Sequence, residues 1–180
     1  MTIKKVRASK PFLSKDFPSN DIATVVYFTK CNGTCVGCCN EKLRNDVEEF
    51  KEFDERELFR HIANFSERKQ ITHVVISGGE PLHPDNIDVC RALLKILFYY
   101  GYKIIIYTGY EITHLIENHI THFHVAKCGK YDETLSQVVI KDDYEMRLPS
   151  SNQDFYNSNY QKISNNGILK FKERKDESNN

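Results

Sequence analysis

The 180-residue chain lacks several things, and each lack narrows what it can be. It has no excess of charge of either sign, with 25 Lys and Arg against 25 Asp and Glu. That balance excludes a strongly basic nucleic-acid binder, or an acidic solvating tail, as its main theme. No apolar run approaches the ~18 residues of a membrane span. Residues 1–20 have no hydrophobic stretch of the secretory kind. The expectation is therefore a cytoplasmic protein with neither nucleic acid nor membrane as partner. There is no internal repeat and no low-complexity stretch. Hydrophobic residues make up 40% of the chain, enough for a real core in one domain but not two.

What is present is cysteine, and mostly in one place. Of six, Cys31, Cys35, Cys38 and Cys39 fall within nine residues, and Cys90 and Cys128 stand apart. A disulfide scaffold spreads its cysteines so as to staple distant loops. Clustering inside a reducing compartment points to a metal or redox centre instead.

Around this string the chain alternates between two periodicities. Residues 1–20 carry five basic residues and two prolines and read as an extended arm. Ile22 to Phe28 is short, β-branched and aromatic, as suits a strand buried on both faces. Asp54 with Glu57 makes a capping box for a helix reaching about Ser66. Ile71 to Ser77 is a second strand, ending in Gly78-Gly79-Glu80-Pro81. Asp85 is placed to cap a helix whose apolar face holds Ile87, Cys90, Leu94 and Leu97, and Gly101 to end it. Lys103 to Thr108 is a third strand, Glu111 to Asn118 a short helix, and His122 to Lys127 a weaker fourth strand with alternating polar residues. Strands alternating with helices imply a parallel sheet with right-handed crossovers. A closed eight-stranded barrel takes ~250 residues. The expected fold is thus α/β, an incomplete (βα) barrel of about four to six mainly parallel strands, with one side uncovered. It spans residues 21–155, and a polar tail follows over 156–180.

Stripped to its spacing, the cysteine string is C-x3-C-x2-C. A cubane iron–sulfur cluster fully tied to protein needs four thiolates. Here Cys31, Cys35 and Cys38 arrive on one loop, and Cys39, adjacent to Cys38, points elsewhere on most backbones. Three thiolates on a [4Fe–4S] cluster leave one iron open to a substrate or cofactor. Gly33 and Gly37 let the loop bring its amides close to sulfur. The loop also leaves the carboxyl end of a strand, where α/β folds place active sites. A structural zinc site would want a fourth ligand, and a redox dithiol would leave Cys31 unexplained. Cys90 reads as a small buried hydrophobe and Cys128 as an incidental thiol.

The C-x3-C-x2-C string after a first strand, with a strand ending Gly-Gly-Glu about 40 residues later, resembles the radical S-adenosylmethionine (SAM) superfamily. Within it the sequence is similar to the small activating proteins of anaerobic ribonucleoside-triphosphate reductase. The likeness runs from about residue 22 to 155. It includes Gly37 before the third cysteine, Asn40 two after it, Ser77 to Pro84, Tyr107-Thr108-Gly109-Tyr110, Gly129-Lys130-Tyr131 and Ser151-Asn152-Gln153. Cys39 stands where those activators commonly carry an aromatic residue, and the gap between the first two cysteines lacks their usual His.

The resemblance implies that Cys31, Cys35 and Cys38 ligate three irons and that SAM chelates the fourth through its amino and carboxylate groups. It further implies that Gly78, Gly79 and Glu80 receive the amino group, that backbone at Gly37 and Cys39 meets the adenine, and that Thr108 and Gly109 lie near the ribose. The implied partners are a large glycyl-radical reductase subunit and an external one-electron donor. His83 reads as a loop residue. Tyr110 and Tyr131 read either as cavity-lining or as ordinary tyrosines. Three other functions remain open: an activase of a different glycyl-radical enzyme, a small-molecule radical SAM enzyme, and a zinc-stabilised interaction module without catalysis.

Overall fold

The computed structural model of the chain describes residues 4–19 and 21–171. In chain order its strands and α-helices are β1 (Val6–Ala8), β2 (Phe12–Ser14), β3 (Ala23–Phe28), β4 (Lys51–Phe53), α1 (Glu55–Lys69), β5 (His73–Gly78), α2 (Ile87–Tyr99), β6 (Lys103–Tyr107), α3 (Ile112–Glu117), β7 (Val125–Cys128), β8 (Ile140–Lys141), β9 (Glu145–Arg147), β10 (Asp154–Asn157) and β11 (Ile168–Lys170).

Among the described residues one large sheet runs β10-β7-β6-β5-β3-β1-β4, with β2 also paired to β3. Its centre, β3-β5-β6-β7, is parallel throughout, and its flanking strands are antiparallel. The parallel centre is the expected incomplete α/β sheet, and the antiparallel β1, β2, β4 and β10 bring it to eight strands rather than four to six. Away from their ends by the cysteine loop, the parallel strands are largely apolar on both sides because both sides are covered.

On one side Val26, Phe28, Val74, Ile76, Ile104, Ile106 and Ala126 pack against Leu58 and Ile62 of α1, Leu93, Leu94 and Leu97 of α2, and Leu115 of α3. The hydroxyl of Thr24, buried on β3, meets that of Ser66 on α1 at 2.7 Å, which satisfies two polar groups that burial would otherwise penalise. The capping box that opens α1 is complete: Asp54 accepts from the amides of Arg56 and Glu57, and Glu57 accepts from that of Asp54.

Four expectations change on contact with the structure. The basic arm is extended, but β1 and β2 enter the main sheet and extend it past β3. Asp85 does not cap α2. The cap position is Asn86, whose amide donates instead to the carbonyls of Thr29 and Glu80, at 2.7 and 2.9 Å. Asp85 pairs with Lys30 at 2.8 Å. The polar stretch from residue 156 is no tail through 171, since β10 pairs with β7, and β11 joins β9 and β8 in a second, three-stranded sheet. Residues 172–180 lie outside the described residues.

Finally, the side of the sheet away from the helices is not left bare. Phe17, Met146, Leu148, Phe155 and Leu169 pack over Ala23, Val25, Val75 and Ile105. Single apolar residues scattered through a polar stretch have no period to reveal them.

Candidate iron–sulfur site

The cysteine loop leaves β3 at Phe28 and lies across the end of β5. Gly78 and Gly79 decide how closely. Gly78 has φ +117°, and a Cβ there would stand 2.4 Å from the carbonyl oxygen of Phe28. A Cβ on Gly79 would stand 2.5 Å from the Leu43 oxygen and 2.6 Å from that of Lys30, so backbone on both sides of the cysteines rests on this glycine. Only a residue without Cβ permits either approach. Asn40 adds a side-chain bond to the Gly78 carbonyl at 3.2 Å, and the Gly79 amide donates to Phe28 at 2.8 Å.

Within the loop, the Gly33 amide donates to the sulfur of Cys31 at 3.2 Å. A Cβ on Gly33 would stand 3.2 Å from that sulfur and 3.7 Å from the sulfur of Cys35, so the two thiols flank one glycine. Side chains from outside hold the loop's shape. Arg44 donates to the Cys35 carbonyl, His83 Nε2 meets Asn32 Oδ1 at 2.8 Å, and the Tyr131 ring lies against Gly37. Burial, above all, pushes the Cys31 thiol upward; the Gly33 amide works against this, and the charges of Glu80, Cys38 and Cys35 add to it.

This donor set fits a cubane. It offers three soft sulfur ligands on a glycine-bearing loop, and an amide already donates to one of them. Among the described residues no three His, Cys, Asp or Glu side chains converge on a point that would hold a single metal ion. A cluster makes no such demand, because its thiolates bind separate irons. Cys90 and Cys128 are buried, and burial pushes the Cys128 thiol up to about 12 and that of Cys90 up as well, so both stay protonated. Cys39 is exposed and has different surroundings from Cys31, its electrostatic neighbours beyond Cys38 being Lys127 and Asp16.

Glu80, Thr108 and Gly109 form one joined group at the ends of β5 and β6. The Glu80 carboxylate is buried and accepts from the Leu82 amide at 2.9 Å, the Thr108 hydroxyl at 2.7 Å and the Gly109 amide at 2.8 Å. Burial raises its pKa, and those three donors oppose the rise. Three bonds leave about one of a carboxylate's four acceptor positions. The structure therefore brings these three residues together, with most of Glu80's capacity spent on tying two strand ends.

Sequence reasoning passes over one residue of this neighbourhood. Lys127 is half-buried on β7, one register step from Tyr107, and its ammonium donates to the Gly129 carbonyl at 2.9 Å and more weakly to that of Thr108 at 3.5 Å. Its only signal in the sequence is a polar residue alternating with apolar ones in the fourth strand, which by itself merely weakens that strand.

A cysteine loop seated at the carboxyl ends of parallel strands, in a half-wound α/β sheet, defines an iron–sulfur protein of the α/β class. Comparison with known families agrees: the chain belongs to the 4Fe-4S single cluster domain family, whose model matches residues 21–164. No curated protein matches the sequence. Among solved structures the chain is similar to QueE from Escherichia coli, with 17% identity over 58% of this chain and a TM-score of 0.47, too slight a likeness to carry an argument. The likeness spans 53% of that protein's chain. Among the described residues no helix is long and apolar enough to cross a membrane.

Proposed function

We propose that this chain is a radical SAM enzyme that activates a glycyl-radical reductase of the anaerobic ribonucleoside-triphosphate kind. The observation that carries the reading is the C-x3-C-x2-C loop resting on Gly78 and Gly79, beside the joined Glu80–Thr108–Gly109 group. Cys31, Cys35 and Cys38 would hold three irons, which leaves the fourth for the amino and carboxylate groups of SAM. The chemistry that such a cluster, held by Cys31, Cys35 and Cys38, would supply is one-electron reduction of the SAM sulfonium, which would release methionine and a 5′-deoxyadenosyl radical able to take hydrogen from a glycine.

The protein's own part is positioning. Gly78 and Gly79 bring backbone within hydrogen-bond reach of an ammonium, and Glu80 keeps an acceptor position for it. Backbone at Gly37 and Cys39 would meet the adenine edge. Thr108 and Gly109 would lie by the ribose. The electron would come from an external donor, and the setting would be the cytoplasm at low oxygen.

Anaerobic reconstitution with iron and sulfide, reduction, and addition of SAM test the reading. The expected result is a reduced-cluster electron paramagnetic resonance signal that changes on adding SAM, then a glycyl radical on the added reductase. Zinc near one per chain without iron or sulfide would end it in favour of an interaction module. A second reading, radical chemistry on a small molecule, is favoured by one feature: β8, β9 and β11 belong to the cover on the helix-free side, which a polypeptide loop would have to approach. SAM cleavage without any glycyl radical, across candidate reductases, would select it.

A further inference from the structure

The helix-free side of the parallel sheet changes character along its length. Its lower row, Val25, Val75, Ile105 and Val125, is apolar and registered strand to strand. The row one pleat nearer the cysteine loop holds Tyr27 opposite Ser77, and Tyr107 opposite Lys127. Side chains two apart on a strand share a face, so Lys127 lies on the face of Val125, whereas Ala126 and Cys128 belong to the helix-side core. Two of this row's tips already have company: Tyr107 donates to the Asp16 carbonyl at 2.5 Å, and the Tyr27 ring packs edge-on against Phe12.

Lys127 differs. An ammonium has three donors and a full charge. Here one donor has a good carbonyl at 2.9 Å and a second a long one at 3.5 Å. Among the described residues no carboxylate forms an ion pair with it. Of the acidic groups whose charges reach it, Glu80 has committed three of its acceptor positions elsewhere, and the others are the thiols of Cys128, Cys35 and Cys39. A half-buried ammonium with donor capacity to spare is open to a charge-assisted bond to an anion. A chain that needed only to fill this position could do so with Val or Met. What the position leaves open is a donor for an oxyanion at the loop end of the helix-free face.

We propose that Lys127 is the binding residue for an oxyanion, a carboxylate or phosphate, on a molecule that occupies the helix-free face beside the cysteine loop. The proposal rests on the radical SAM reading only for where that molecule sits. Its oxyanion could come from SAM's own carboxylate or from the molecule acted on, and the two sources are separable.

Titration calorimetry under anaerobic conditions on the reconstituted protein, as wild type, Lys127→Met and Lys127→Arg, uses three probes: inorganic phosphate, SAM, and SAM lacking its carboxylate. If the oxyanion belongs to the molecule acted on, phosphate binding weakens about tenfold or more in Lys127→Met, recovers in Lys127→Arg, and SAM binding is unchanged. If it is SAM's, SAM weakens by a similar factor in Lys127→Met, and decarboxylated SAM binds both proteins alike. Equal affinities of wild type and Lys127→Met for both phosphate and SAM overturn the proposal.

Thermal unfolding of the cluster-free chains gives a second readout. Removal of an unpaired cation should leave Lys127→Met melting no lower than wild type and up to several degrees higher. A lower melting temperature with unchanged phosphate and SAM affinities would make Lys127 a mere clamp on the Thr108 and Gly129 carbonyls. Failure of wild type to cleave SAM would sink the radical reading and leave the phosphate result standing.

Discussion

The two sides of the central sheet are built from the same four strands and do different work. On the helix side Val26, Phe28, Val74, Ile76, Ile104, Ile106, Ala126 and Cys128 are apolar and buried, and the polar exception, Thr24, is satisfied by Ser66 of α1. On the other side the apolar row stops one pleat short, and Tyr27, Ser77, Tyr107 and Lys127 take over beside the cysteine loop. Continuous burial marks a face selected for packing. A face that turns polar where the strands of an α/β sheet end is where such folds seat ligands, even though Tyr27 and Tyr107 here also meet Phe12 and Asp16.

Substitutions on the two sides should separate them. The largest effect belongs to the loop: Cys31→Ala, Cys35→Ala or Cys38→Ala should each lose most of the bound iron and the visible absorption of the reconstituted protein, while Cys39→Ser keeps both. A Cys39→Ser protein without iron would break the assignment of the three ligands. On the helix side, Leu94→Ala should cost about 2–5 kcal/mol in urea unfolding, since Leu94 is fully buried between α2 and the sheet. Gly78→Ala should cost on the order of 3 kcal/mol, because its backbone is left-handed and a Cβ meets the Phe28 carbonyl. On the other side, Tyr107→Phe removes one hydrogen bond to Asp16 and should cost only ~1 kcal/mol. A Tyr107→Phe loss as large as that of Leu94→Ala would erase the distinction between the faces.

The subtlest test is pH. Burial raises the pKa of Glu80 above the ordinary glutamate value, so the folded chain holds its proton more tightly than the unfolded one. Stability should then decline as pH climbs from that ordinary value, ~4.3, through the raised one. Glu80→Gln should flatten this decline, measured as urea midpoints across the range.

Much of this arrangement is legible in the sequence, because the central strands, the capping box and the cysteine string announce themselves through period and spacing. Asp54 with Glu57 three residues on has one physical use, and the structure puts it to that use. Other parts are hidden because their meaning depends on distant partners. Asp85 has the look of a helix cap and is instead the counter-ion of Lys30, 55 residues away. Met146, Leu148 and Leu169 carry no period, since β9 and β11 are three residues each, and their burial comes from folding over Val25 and Val75. Lys127 breaks an apolar pattern, and the break itself is the message.

The contacts that shape the cysteine loop, Arg44 on Cys35, His83 on Asn32 and Asn40 on Gly78, run from protein to protein and ask nothing of a metal. Small zinc modules collapse when stripped, because the ion is their only keystone. This loop is closer to a mould that outlives its casting. Iron lost to air could be poured again into the same shape, without the chain having to find its fold a second time.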